Sequence, residues 1–221
     1  MTVRTAKVLI LSETIIPIVG ARSRPTRHRV WLWVACVLSA ITILAADGGG
    51  VRPAGDELET GPGAYGWYGS KDVGSTFTDG LNLITVTPQA RGPLRLISAR
   101  PLMDDGGTVR VIGLQARILP DMSPPDFYVG SFQDSPGFPP VLPGAAGAVG
   151  VAGLIATPPK RGEDRWIEIQ IGYQVIAPGR SARRGVELIY EYEGAQHRVV
   201  IPGYLALCAP ATVTCAPEYD Q

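Results

Sequence analysis

Few residues in this 221-residue chain have the type and spacing that chemistry needs. The histidines are His28 and His197. His28 stands at the edge of a long apolar run. His197 sits among tyrosines and valines on a β-prone run, which fits a core or rim histidine better than a general base. Asp104 and Asp105 adjoin in "MDDGGT". They lack the ligand spacing of a calcium loop and read as a hairpin turn. Glu187 and Glu191 share one strand face, about 13 Å apart by strand rise, too far for a glycosidase pair by themselves. "KRGEDR" reads as a charged loop. The sequence has no G-x-S-x-G elbow, no P-loop, no G-x-G-x-x-G entering a helix and no H-E-x-x-H. No cofactor or metal is expected, and the nucleophile, base and orienting group of an enzyme are not evident.

Cys208 and Cys215 stand close together in "LCAPATVTC". A disulfide staple, a redox-active pair and a metal pair are the three readings. The spacing is not C-x-x-C and no histidine adjoins, which favours the staple. Closing so small a loop restricts the unfolded chain by about 2.5 kcal/mol on the chain-entropy account.

The compartment is read from "RHRVWLWVACVLSAITILAADGGG", Arg27 to Gly50. Val30 to Ala46 carries no charge and no polar face. As a helix it is roughly 25 Å long, close to the hydrocarbon thickness of a bilayer. Trp31 and Trp33 lie at its entering end, and Arg4, Lys7, Arg22, Arg24, Arg27 and Arg29 precede it against a single acid, Glu13. The positive-inside rule puts the amino terminus in the cytoplasm and the rest outside. Leu44 or Ile43 would occupy the −3 position of a cleavage site, a poor fit, so an uncleaved signal-anchor is expected. Secretion after cleavage is the alternative. A lipoprotein signal at Cys36 is a third reading, disfavoured by the apolar run that follows it. Val8 to Gly20 is interrupted by Glu13 and Pro17 and is not counted as a span.

The charge is zero overall, but the first 46 residues hold six Lys/Arg and one acid, leaving 14 basic and 19 acidic residues beyond them. A net −5 exterior is a poor match for nucleic acid, whose affinity comes from neutralised phosphates. The expected organisation is a basic tail over 1–29, a membrane helix over 30–46, a Gly-rich linker over 47–80 and one domain over 81–221. Within the linker, Tyr65, Trp67 and Tyr68 are expected to pack on the domain.

That domain is positioned by strands. "LNLITVTP" and "LRLISARP" are β-prone runs stopped by proline. "TVRVIGLQARI" changes phase near Val111–Ile112, as at a bulge. In "WIEIQIGYQVI", Ile167, Ile169, Ile171, Tyr173 and Val175 face one side, and Glu168, Gln170 and Gln174 the other. A two-residue turn at Glu193–Gly194 sets Tyr192 opposite Ala195, Tyr190 opposite His197, Leu188 opposite Val199 and Val186 opposite Ile201. A four-residue loop keeps the same parity, and a three-residue loop needs a bulge. Ala145 to Ala156 reads as a strand weakened by glycines. Pro120 to Pro143 is a long Pro-rich loop around "DFYVGSF". No convincing helix follows the membrane segment. The expected fold is an all-β ectodomain, an antiparallel β-sandwich, preceded by a single transmembrane helix.

At "GVELIYEYEGAQHRVVIPGYLALC" the sequence resembles uncharacterised membrane-anchored or secreted proteins of high-GC Gram-positive bacteria. In these a tyrosine-bearing strand, a Gly turn and a return strand ending near a cysteine close a small immunoglobulin-like sandwich. The resemblance covers Trp166 to Cys208 and implies an immunoglobulin-like fold, with no activity or site residues.

The functional expectation is a single-pass membrane protein displaying a non-catalytic binding module. Its polar sheet face and its Pro-rich loop, through Phe127, Tyr128 and Phe132, would contact a cell-envelope protein or polymer, with the bilayer as second partner. The alternative is a secreted or anchored hydrolase with a scattered active site. A cavity holding His197 with an acid and a hydroxyl would favour that alternative. A packed His197 favours the first.

Overall fold

A computed structural model describes residues 50–60, 66–104, 106–119, 135–140 and 147–216. These form strands β1 (Arg52–Pro53), β2 (Leu58–Glu59), β3 (Gly66–Ser70), β4 (Thr76–Val86), β5 (Leu94–Met103) and β6 (Val109–Leu119). Then follow β7 (Ser135–Pro136), β8 (Val149–Gly150), β9 (Ile155–Ala156), β10 (Trp166–Val175), β11 (Gly179–Tyr192) and β12 (Ala195–Ala209).

The strands make two sheets. One has the order β1-β12-β11-β5-β9, with β3 also on β12, and the other β2-β4-β10-β6-β8, with β7 on β4. The first sheet is mixed, because β1 and β3 run parallel to β12. The second is antiparallel at every pairing. One core cluster joins them: Leu94, Leu96, Val186, Leu188, Ile201 and Leu205 from the first, with Phe77, Ile84, Ile167, Ile169, Ile171 and Tyr173 from the second. Phe77 stacks on Tyr173 at 5.3 Å, and Trp67 meets Phe77 edge-on at 6.0 Å.

The period-2 patterns place the long strands as expected. Ile167, Ile169, Ile171, Tyr173 and Val175 are buried together. The β11–β12 register pairs Tyr192 with Ala195, Tyr190 with His197, Leu188 with Val199 and Val186 with Ile201. Glu193 and Gly194 close that hairpin at φ 48° and 75°, both in the left-handed region that a two-residue turn of matching twist requires. The phase change in β6 is a bulge: Gly172 pairs with Gly113 and Tyr173 with Val111, leaving Ile112 without an opposite residue.

Three expectations are corrected. Among the described residues there is no helix, and none is long and apolar enough to cross a membrane, which says nothing of a β-barrel. Apolar residues of the long strands instead alternate, and those that face inward fill the inter-sheet core. The segment expected to span, 30–46, lies outside the described residues, as does the basic tail. The described fold is therefore all-β, with no transmembrane helix among the described residues. The single-pass topology, the bilayer partner and the cell-membrane location that rested on that helix are not carried forward.

Second, much of 47–80 is strand, not spacer. It supplies β1, β2, β3 and the first residues of β4, and Trp67 packs against the core. Such short strands are fixed by the sheet edges they meet, so they carry no period of their own. Tyr68 is exposed. Third, the single weak strand expected within 145–156 is two short strands in different sheets. Gly153, at φ +86°, lies between them.

Candidate functional site

The grouping that most resembles a catalytic one forms where residues 50–59 cross the sandwich. β1 pairs with β12 through Arg52–His197 and Pro53–Arg198. β2 pairs with β4 through Leu58–Val86 and Glu59–Thr85. The strap thus ties one sheet to the other, and Glu57 sits inside it, 5% exposed. The Tyr190 hydroxyl donates to Glu57 Oε1, and the Gly55 amide donates to the same oxygen at 3.1 Å. His197 Nδ1 lies 3.7 Å from that oxygen and 3.2 Å from the Pro53 carbonyl. The imidazole stacks on Tyr190 at 5.5 Å and meets Tyr192 edge-on at 6.0 Å.

The electrostatics follow from this packing. Burial pushes the Glu57 carboxyl upward. The Tyr190 hydroxyl, the backbone amides of Glu57 and Gly55 and the nearby His197 ring outweigh it, so its pKa falls below the ordinary value. Burial, and then the Glu57 carboxylate, push the Tyr190 phenol well above its ordinary range. The grouping has an acid and a histidine. Among the described residues no hydrogen bond joins the imidazole to a serine, threonine or cysteine, and Nδ1 faces the Pro53 carbonyl. It is built to hold a strap.

Two further buried polar groups were not read from the sequence. Asp79 on β4 meets Arg183 on β11 at 2.7 Å across the core, with side chains 1% and 3% exposed. Trp67 Nε1 donates to Asp79 at 2.9 Å, Asn82 donates to it at 3.1 Å, and Arg183 donates to Asn82 Oδ1. This pair clips sheet to sheet beside register irregularities in β10–β4 and β11–β12. Burial pushes the neighbouring Tyr173 phenol up, with Arg183 opposing and Asp79 adding to the shift. The signal available was a charge within a strand run, in "FTDGLNL" and "RSARRGV", which reads equally well as a turn or an exposed rung.

The second group removes Glu168 and Gln170 from the polar face expected to form part of the contact surface. Glu168 and Gln170, expected on an open polar face, are 1% and 0% exposed. Arg117 pairs with Glu168, Gln170 donates to Glu168 at 2.9 Å, and Gln115 donates to Gln170 at 2.6 Å. Farther along the same face the opposed glycines Gly113 and Gly172 receive the Phe138 ring. A Cβ on Gly172 would lie 2.2 Å from Phe138 and one on Gly113 2.3 Å. The tail of the Pro-rich region thus lies on this sheet, held by β7 against Phe77 and Thr78. Phe127, Tyr128 and Phe132 lie outside the described residues.

The remaining candidates resolve simply. Asp104 Oδ1 accepts the amides of Gly106 and Ala182, at 3.2 and 2.8 Å, so it shapes a turn. Asp105 lies outside the described residues. Glu187 is paired with Arg100 and Arg198, and Glu191 with Arg95. The Arg100 hydrogen bond is the main cause holding the Glu187 carboxyl below its ordinary pKa. Among the described residues no cluster of three or more His, Cys, Asp or Glu could hold a metal. Cys208 and Cys215 are joined, with Cα atoms 5.4 Å apart.

No protein-family model matches the chain. No curated protein matches it. Among solved structures, the chain aligns with the "Structure of Vibrio cholerae VesB protease" at 9% identity and a TM-score of 0.29. The alignment covers 70% of this chain and 32% of the protease chain, so it spans about a third of that structure. A similarity this low carries no argument about fold or activity.

Proposed function

We propose that the described domain is a non-catalytic β-sandwich interaction module. The observation that carries this reading is His197. Its ring stacks on Tyr190 and meets Tyr192 edge-on, its Nδ1 faces the Pro53 carbonyl, and the adjacent carboxylate is engaged by Tyr190 and Gly55. A general base needs a proton to abstract within hydrogen-bond reach, and at Nδ1 that reach is occupied by structural partners. The order β4-β10-β6 against β12-β11-β5 also matches the B-E-D and G-F-C strands of an immunoglobulin-type sandwich, which supports the resemblance drawn from the β11–β12 residues. A fold of that type hosts many functions and assigns none.

Phe127, Tyr128 and Phe132 are the partner-contact residues in this reading, on sequence alone. Glu168 and Gln170 of β10 are not part of it, because they are buried. The test compares the full chain with His197→Gln on ester, peptide and glycoside substrates, with melting temperature followed in parallel. The module reading expects no turnover that the substitution removes. Turnover lost in His197→Gln at unchanged melting temperature replaces it with a hydrolase. The contact loop is tested separately. Replacing Phe127, Tyr128 and Phe132 with serine is expected to leave the melting temperature unchanged and to abolish a crosslink that the wild-type chain forms with a partner.

A further inference from the structure

Residues 50–59 carry one buried ionisable group, Glu57. Leu58 enters the core, and the Ala54 amide bonds the Arg198 carbonyl at 3.0 Å. The Thr87 amide bonds the Glu57 carbonyl at 3.0 Å, and the Thr87 hydroxyl donates to the Asp56 carbonyl. The side chain at the centre of these contacts is Glu57. We propose that the strap is an acid-releasable closure: protonation of Glu57 frees residues 50–59 from β12 and β4 while the two sheets stay packed.

The reasoning is geometric. The two direct hydrogen bonds to the carboxylate come from neutral donors, the Tyr190 hydroxyl of β11 and the Gly55 amide of the strap. The titratable group facing it from β12 is His197, at 3.7 Å. Tyr192 of β11 lies beyond the imidazole, its hydroxyl accepting the Arg91 amide at 2.8 Å. Arg198 turns to Glu187 instead. Among the described residues no lysine or arginine pairs with Glu57, in contrast with the carboxylates of Asp79 and Glu168. A carboxylate held by neutral donors loses its charge more readily than one held by a guanidinium. Once protonated it is a weaker acceptor inside a buried site.

The direction in pH follows. The Glu57 carboxyl lies below its ordinary value of 4.5 in the folded chain. Its contribution is therefore complete above that value and is lost as pH falls through the lowered one. The His197 ring beside the carboxylate favours its charged form, so release waits for Glu57 itself. The opening is local, because the core cluster between the sheets contains few strap residues.

The test is hydrogen exchange on the full chain, with protection factors corrected for intrinsic rates, from pH 7 to pH 3. Ala54 and Thr87 report the strap, and Ile169 and Leu188 report the sheets. The expected result is a fall of up to about tenfold in strap protection per pH unit between the ordinary Glu57 value and the lowered one, with the sheets unchanged. Glu57→Gln is expected to show a poorly protected strap at every pH. Tyr190→Phe keeps the charge but removes a donor, so its midpoint moves to higher pH. Strap amides that lose protection only together with Ile169 and Leu188 overturn the proposal. So does a Glu57→Gln strap with wild-type protection. If Glu57→Gln does not fold, the Tyr190→Phe midpoint decides, and an unshifted midpoint overturns it.

Discussion

Arg183→Met is expected to be among the most damaging single substitutions that leave side-chain volume nearly intact. It removes the cation 2.7 Å from Asp79 and the donor to Asn82, in a site where both charged side chains are at most 3% exposed. Trp67 and Asn82 still donate to the carboxylate, yet its charge stays buried without a counter-ion. Removing one member of such a pair costs about 3–5 kcal/mol. In a domain of this size each kcal/mol moves the melting temperature by roughly 2–4 °C, so a fall on the order of 10 °C is expected. The control is Arg95→Met. Arg95 pairs with Glu191 at the surface with its side chain 53% exposed, and such pairs contribute about 0–1 kcal/mol. Adding Asp79→Asn to Arg183→Met removes the orphan charge and recovers part of the loss. Urea and thermal unfolding of the three variants give the comparison. Arg183→Met within about 0.5 kcal/mol of wild type, or no more harmful than Arg95→Met, refutes the inter-sheet clip.

Two other outcomes follow from the packing. Gly172→Ala drives a methyl into the Phe138 ring and is expected to cost about 1–3 kcal/mol by urea unfolding. Adding Phe138→Ala should make the glycine substitution nearly silent, and a fully additive pair would show that the ring is not seated there. Reduction and alkylation of the unfolded chain should add two thiols from Cys208 and Cys215 to any present beforehand, read by intact mass. Two thiols already free on those residues in the native, oxidised protein would contradict the bond.

The sequence made the long strands legible because burial on one face imposes a period of 2, and a single residue out of step shows as a phase change. That is why the β11–β12 register and the Ile112 bulge were readable. The hairpin also placed His197 among tyrosines, since register alone determines which residues share a face. The strap was illegible. Two-residue strands such as β1 and β2 have no period, and Glu57 lies in a Gly-rich stretch that reads as a spacer. The outer face of β10 was misread for a related reason. Its alternation is the same whether water or chain covers it, and Phe138 comes from a different part of the sequence. Charges aimed into the core, such as Asp79 and Arg183, become recognisable only when a partner on another sheet is placed opposite them.

The central claim is that His197 is a structural residue packed against two tyrosines, and ring-to-ring nuclear Overhauser effects in the folded full chain test it most directly. The account predicts cross-peaks from the His197 imidazole protons to both the Tyr190 and Tyr192 rings, and their selective loss from the Tyr190 side in Tyr190→Leu. An imidazole with no aromatic cross-peak, and with the averaged shifts of a freely rotating side chain, would contradict it.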